Sequence, residues 1–285
     1  MRFGLLGTGD WAERTHAAAL AAAPDAELVA IWGRNPAKAE AMAGRLGVPS
    51  APEVDALLDQ VEAVAIALPP DIQAPLAARA ARAGRHLLLD KPLALDLPAA
   101  DDVVAAVEDA GVASVVFFTN RFKPAVAEFV RDAVETGGWD GARATMLASL
   151  PADVWASSAW RREHGGLWDV GPHALSLILP VLGPVTEVAA AQGQHGITTV
   201  LLSHAGGAVS TMTLSLRAPA ASTTWDVALH GEAGWWSAPT GGDALAACIA
   251  AIGELATGRT DSPCGVRFAR DVVAILAEAD SARQD

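Results

Sequence analysis

Over the first 120 residues, short unbroken apolar runs at 2–6, 27–32, 63–68, 86–89 and 114–119 alternate with helix-like segments, and this alternation restricts the fold most. A strand buried on both faces reads as continuous apolar sequence, and parallel neighbours need a crossover long enough to hold a helix. Segments 11–23, 36–46, 71–83 and 98–110 supply such crossovers, with a shorter helix at 53–59. Asn35 and Pro36 suit an N-cap and a first helical position, and Gly84 and Gly111 stand just past helix ends. Residues 1–120 therefore read as a doubly wound α/β domain built on a parallel sheet.

After a helix at 124–135, closed by Gly137-Gly138, the pattern changes. Strand-like runs at 142–150, 185–192, 198–203, 209–216 and 225–230 are separated by glycine-containing turns. A helix at 168–182 interrupts them, and two more follow near 243–257 and 266–282. Strands grouped in this way predict an α+β domain over residues 121–285, with an open, mostly antiparallel sheet and helices on one face. The expected fold class is α/β plus α+β, and 285 residues at about 150 per domain agree with two domains.

Charge and composition narrow the function. With 20 Lys and Arg against 33 Asp and Glu, the net charge of -13 repels nucleic acid and anionic lipid surfaces, so neither is an expected partner. The apolar stretches fall short of the roughly 20 residues a membrane span needs, so no membrane association is expected. Met1-Arg2 leads directly into the first apolar run without a long hydrophobic region or a small-residue cleavage site, which makes the cytoplasm the expected compartment. The two cysteines, Cys248 and Cys264, are too far apart for a C-x-x-C pair and suit a reducing compartment. The sequence holds nine Trp and no Tyr, which removes reductases that depend on a Tyr-Lys pair.

Gly7-Thr8-Gly9-Asp10-Trp11-Ala12 follows the first strand and opens the first helix, the context in which G-x-G-x-x-G/A binds a dinucleotide. Gly7 allows the tight turn, Gly9 lets backbone N–H groups approach a pyrophosphate, and Ala12 takes the third glycine's place at the helix-sheet contact. At the end of the second strand an NAD site normally offers an acid to the ribose 2′-hydroxyl. Here the chain gives Gly33-Arg34-Asn35, with Lys38 one turn on. Arg34 is placed to receive a 2′-phosphate, so NADP is the preferred cofactor; Arg34 stacked on adenine would equally suit NAD.

Lys91, in Asp90-Lys91-Pro92, stands just beyond the strand at 86–89, on the side where open α/β sheets bind ligands. Farther on, Gly165-Gly166-Leu167-Trp168-Asp169-Val170-Gly171-Pro172-His173 spaces Asp169 and His173 four apart, which places both on one face of a helix.

Together with Ala83-Gly84-Arg85-His86 and Asn120-Arg121-Phe122 followed by Pro124, these motifs occur in the order found in the glucose-fructose oxidoreductase, inositol dehydrogenase and rhizopine-catabolism (Gfo/Idh/MocA) family, which the chain resembles over roughly residues 1–183. The resemblance implies an N-terminal Rossmann domain, a C-terminal open sheet engaged in oligomer contacts, and hydride exchange between NAD or NADP and a carbinol or carbonyl carbon of a sugar or cyclitol. Carried over, the catalytic group is Lys91, Asp169 and His173, with Leu68, Pro69, Pro70, Gln73, Asp90 and Lys91 added to the cofactor side. His173 would carry the proton, Lys91 would polarise the oxygen or share the proton, and Asp169 would hold His173 or the substrate hydroxyl. Three positions depart from the family pattern: Asp90 stands for the customary glutamate, Gln73 for a histidine after Pro69-Pro70, and Ser176 for a second helix acid.

On the substrate side, residues 150–165 read as a loop in which Trp160 could stack on a sugar ring and Arg161 could bind an anionic group, and Arg121 projects from the ligand-binding end of the sheet. His195, His204 and His230 show no metal-ligand spacing, so no metal is expected. The expected partners are a carbohydrate-like small molecule and a second copy of the chain in a homodimer or homotetramer. Two other readings fit the departures at Asp90, Gln73 and Ser176: a cofactor-binding sensor without net turnover, and an enzyme that recycles tightly held NAD during bond cleavage or epimerisation.

Overall fold

The computed structural model describes residues 1–283, apart from the side chains of residues 156 and 157. Five parallel strands, β1 (Arg2–Leu6), β2 (Glu27–Trp32), β3 (Ala63–Ile66), β4 (His86–Asp90) and β5 (Ser114–Phe117), line up in the order β2-β1-β3-β4-β5. Every residue of β3 is buried, as the central strand of a sheet covered on both faces must be. The order reverses at β1, so the crossovers that follow β1 and β3 run in opposite directions. A crevice for a ligand opens at such a point, outside the carboxyl ends of the strands.

The crossovers are α1 (Ala18–Ala22), α2 (Pro36–Leu46), α3 (Val54–Leu58), α4 (Pro70–Arg82) and α5 (Leu97–Ala110). Their ends carry the expected chemistry. Asn35 accepts a hydrogen bond from the Lys38 N–H at 3.1 Å to cap α2, Asp96 accepts from the Ala99 N–H to cap α5, and α5 stops at left-handed Gly111. The helix expected at 11–23 differs in detail, because Ala12–Ala17 forms wider π-helical turns before α1. An alanine-rich apolar stripe does not distinguish closure at the fourth residue from closure at the fifth.

The second sheet has six strands in the order β11-β10-β6-β9-β8-β7: β6 (Trp139–Leu147), β7 (Val185–Gln192), β8 (Thr198–His204), β9 (Val209–Ser215), β10 (Thr224–Gly231) and β11 (Gly234–Ser237). All neighbours are antiparallel except β6 and β9. Ahead of these strands lies α6 (Pro124–Thr136), and α7 (Ala152–Ser157) and α8 (Ala159–Leu182) fall between β6 and β7. Helix α8 packs on β6, β8 and β9, over buried Met146, Leu202, Met212 and Leu214. The expected loop at 150–165 is thus mostly helical, with one break at Gly165 (φ 65°, ψ -154°), a conformation that glycine adopts without a Cβ penalty. Strand β11 escapes sequence reading because four residues between glycine turns are too few to show an alternation.

The chain divides into two compact units. The first holds Met1–Phe122 and Asp243–Asp271, and the second holds Lys123–Gly242 and the residues from Val272 on. The two consecutive segments read from the sequence, 1–120 and 121–285, leave out this return. It consists of α9 (Ala244–Ala256) and the start of α10 (Val266–Ala282). Helix α9 buries Cys248, Ile252 and Leu255 and packs against α1 and β5, while the Val116 N–H donates to the Cys264 carbonyl at 2.7 Å. An alanine-rich amphipathic helix announces that it needs a partner surface, but its sequence does not say which sheet will provide it.

Candidate active site

In the first unit, the residues singled out from sequence sit at the carboxyl ends of the parallel strands. Gly7 ends β1 with φ 138°, and a Cβ there would lie 2.4 Å from the Ala67 carbonyl oxygen, so only glycine closes this turn. Gly9 faces open space, with no atom within 4 Å of where a Cβ would stand, which leaves room for a phosphate to meet the backbone. Ala12 is buried, as a helix-sheet contact requires, and Thr8 packs against Gly33 at the end of β2. Asp10 and Trp11 are exposed beside the turn, with Asp10 ion-paired to Arg14. Arg34 and Lys38 are exposed past β2, and Asn35 is occupied as the cap of α2. This combination of a fixed turn, an open position and nearby cations fits a dinucleotide.

After β3 come Leu68, Pro69 and Pro70, which lead into α4. Gln73 on α4 is fully buried, and its amide is spent on the backbone. Nε2 donates to the Asp90 carbonyl at 2.7 Å and to the Pro92 carbonyl at 3.1 Å, and Oε1 accepts from the Asp90 N–H at 2.8 Å. Gln73 therefore clamps the turn that carries Lys91, and contact with a ligand, the role expected of it, is not what its geometry offers. Asp90 accepts a hydrogen bond from the Lys91 N–H at 2.9 Å, and Lys91 itself is half-buried. Arg121 lies in a 3-10 turn (Thr119–Phe122) beyond β5 and faces Cys264. Burial pushes the Cys264 thiol up to about 11, with Arg121 opposing part of that rise.

In the second unit, Asp169 and His173 lie on α8, one turn apart, which puts them on a common face. Arg161 Nε donates to Asp169 Oδ2 at 2.9 Å, and the Arg161 guanidinium also lies over Trp160, 4.7 Å from the ring centroid. Arg161 and Trp160, expected to meet substrate, therefore also brace Asp169. Sequence reasoning missed Trp225 on β10, whose ring meets the His173 imidazole edge-on at 5.5 Å. Trp225 pairs in register with buried Met146, so it faces the helix-covered side of the sheet, yet it stays 37% exposed. A large aromatic at an inward position near a strand end was the available signal.

The remaining histidines have local roles. His204 bonds the Gly183 carbonyl and Ser210 Oγ, His230 lies against Trp235, and His195 occupies the turn between β7 and β8. Among the described residues no group of three metal-ligating side chains occurs, and no helix is long and apolar enough to cross a membrane.

Residues 1–118 match a family described as "Oxidoreductase family, NAD-binding Rossmann fold", and residues 131–237 match "GFO/IDH/MocA C-terminal domain". The dTDP-3,4-didehydro-2,6-dideoxy-alpha-D-glucose 3-reductase of Streptomyces antibioticus is 32% identical over 196 residues, which cover 67% of this chain and 60% of that protein. The inositol 2-dehydrogenase of Rhizobium meliloti is 30% identical over 232 residues, covering 76% and 69%. GenD2 from gentamicin A biosynthesis, solved in complex with NAD, shares the fold with a TM-score of 0.87 at 22% identity, over 100% of this chain and 94% of that one. The chain belongs to the Gfo/Idh/MocA oxidoreductase family, and its first unit contains the family's NAD-binding Rossmann domain.

Proposed function

We propose that the protein is an NAD(P)-dependent oxidoreductase that exchanges hydride with a hydroxyl or carbonyl carbon of a sugar-like or cyclic polyol. The observation that carries this reading is the single edge of the parallel sheet that holds both the fixed Gly7 turn, open at Gly9, and the clamped turn bearing Lys91. Relatives named for reduction of a nucleotide-linked sugar and for oxidation of inositol support the substrate class.

When bound, the nicotinamide supplies or accepts the hydride. The chain's own residues must then manage the proton at the substrate oxygen. His173 is the residue proposed to carry that proton, and Lys91 the one proposed to donate a hydrogen bond to the substrate. Asp169, braced by Arg161, keeps a fixed negative charge one helical turn from His173. Trp225 offers a flat apolar face to a sugar ring beside the imidazole.

NADP is the proposed cofactor, because exposed Arg34 and Lys38 stand where an NAD site would carry an acid. Homo-oligomer contact is assigned to the face of the second sheet opposite α8. Leu201, Val209 and Trp235 are exposed there, and the strand register puts all three on one side.

Mixing the protein with NADPH or NADH and a panel of keto-sugars and ketocyclitols tests the reading. Loss of the reduced nicotinamide's near-ultraviolet absorbance with at least one carbonyl compound, faster with NADPH, is expected. Tight cofactor binding without turnover across the panel would contradict it and favour a sensor.

A further inference from the structure

The wider helical turns after the glycine loop bury His16 completely, and neither ring nitrogen has a hydrogen-bond partner among the described residues. An imidazole sealed from water without a hydrogen bond is costly, so its surroundings must compensate. Four side chains face it. The Asp90 carboxylate comes from the end of β4, with Oδ2 3.6 Å from His16 Nε2, and the Cys248 thiol comes from α9. Phe117 of β5 and Trp11 meet the ring edge-on at 5.8 and 6.5 Å. The other carboxylate oxygen of Asp90 is already held by the Lys91 N–H.

We propose that His16 is a positioning residue whose imidazole fixes the Asp90 carboxylate and, together with the Gln73 clamp, locks the turn that carries Lys91 beside the nucleotide-binding loop. The idea rests on the functional reading above only for what Lys91 then does; the pairing itself belongs to the protein without ligand. Two clamps of different origin thus act on one turn, one from α4 through backbone hydrogen bonds and one from the loop helix through charge. Burial, the largest influence, disfavours a charged His16, but Asp90 and Cys248 outweigh it and carry the imidazole up to about 10. The carboxylate therefore faces a cation across neutral pH. This geometry also accounts for an aspartate at position 90, since a longer side chain would have to fold back to keep the same distance to His16.

The test begins without cofactor, by following the His16 ring resonances through a pH titration in wild type and in Asp90→Asn. The proposal expects His16 to stay protonated through neutral pH in wild type, and its midpoint to fall by at least about one unit when the carboxylate is neutralised. A His16 that titrates near its ordinary value, or that ignores Asp90→Asn, overturns the pairing whether or not the protein turns over. The second readout is turnover by His16→Gln, Asp90→Asn and the double variant. Each single change should lower kcat about tenfold, His16→Gln with cofactor Kd within about threefold, and the double should cost little more than either, the non-additivity of residues in contact. Additive losses, or a loss confined to melting temperature, overturn the positioning role. A wild type that binds no reduced nicotinamide would overturn the functional reading and leave the titration to decide the pair.

Discussion

Buried His16 gives the folded chain a pH dependence of definite sign. His16 stands at about 10 in the folded chain against an ordinary 6.5, so its charged form is favoured by folding. A raised folded value contributes stability that is fully present below 6.5 and is lost as pH rises toward and through about 10. Urea unfolding at a series of pH values is therefore expected to show wild type losing stability between neutral pH and pH 10 more steeply than His16→Gln. Parallel curves would contradict the assignment. Gln73 teaches a related lesson at the same scale. Its type suggested a ligand contact in a histidine's place, but a fully buried amide is satisfied by whatever backbone surrounds it, here that of Asp90 and Pro92.

At the scale of elements, the strands and helices of the first sheet were legible because each carries a local signal: continuous apolar runs, Asn35 before Pro36, Gly111 after α5. The residues at the carboxyl ends of those strands were legible for the same reason, since a strand followed by glycine or Lys-Pro marks its own end. What was not legible depends on contacts distant in sequence. Helix α7 and the early turns of α8 read as loop, β11 was too short to show a period, and Trp225 gained meaning only when β10 paired with β6 and brought it beside His173. If Trp225 is a platform for a sugar ring, Trp225→Ala should raise KM for the ring substrate about threefold to tenfold, the magnitude of an aromatic stacking contact. Both kcat and cofactor affinity should hold. A change in cofactor Kd with KM intact would instead mark Trp225 as packing for α8.

The whole molecule joins a nucleotide-binding unit, completed by the returning helix α9, to a second unit that carries the Asp169 and His173 face of α8. That return is not legible in the sequence, because the helix's alanine and isoleucine face would fit either sheet. The central claim is that hydride passes between nicotinamide and a carbinol carbon under the control of Lys91 and His173. It is tested most directly with NADPH carrying deuterium at both C4 positions of the dihydronicotinamide and a carbonyl substrate found by the panel. Wild type is expected to place deuterium on the new carbinol carbon of the product, and Lys91→Ala and His173→Ala to slow that transfer by about a hundredfold or more, as loss of a positioned acid or base does. Product free of deuterium, or transfer at the wild-type rate in both variants, would contradict the account.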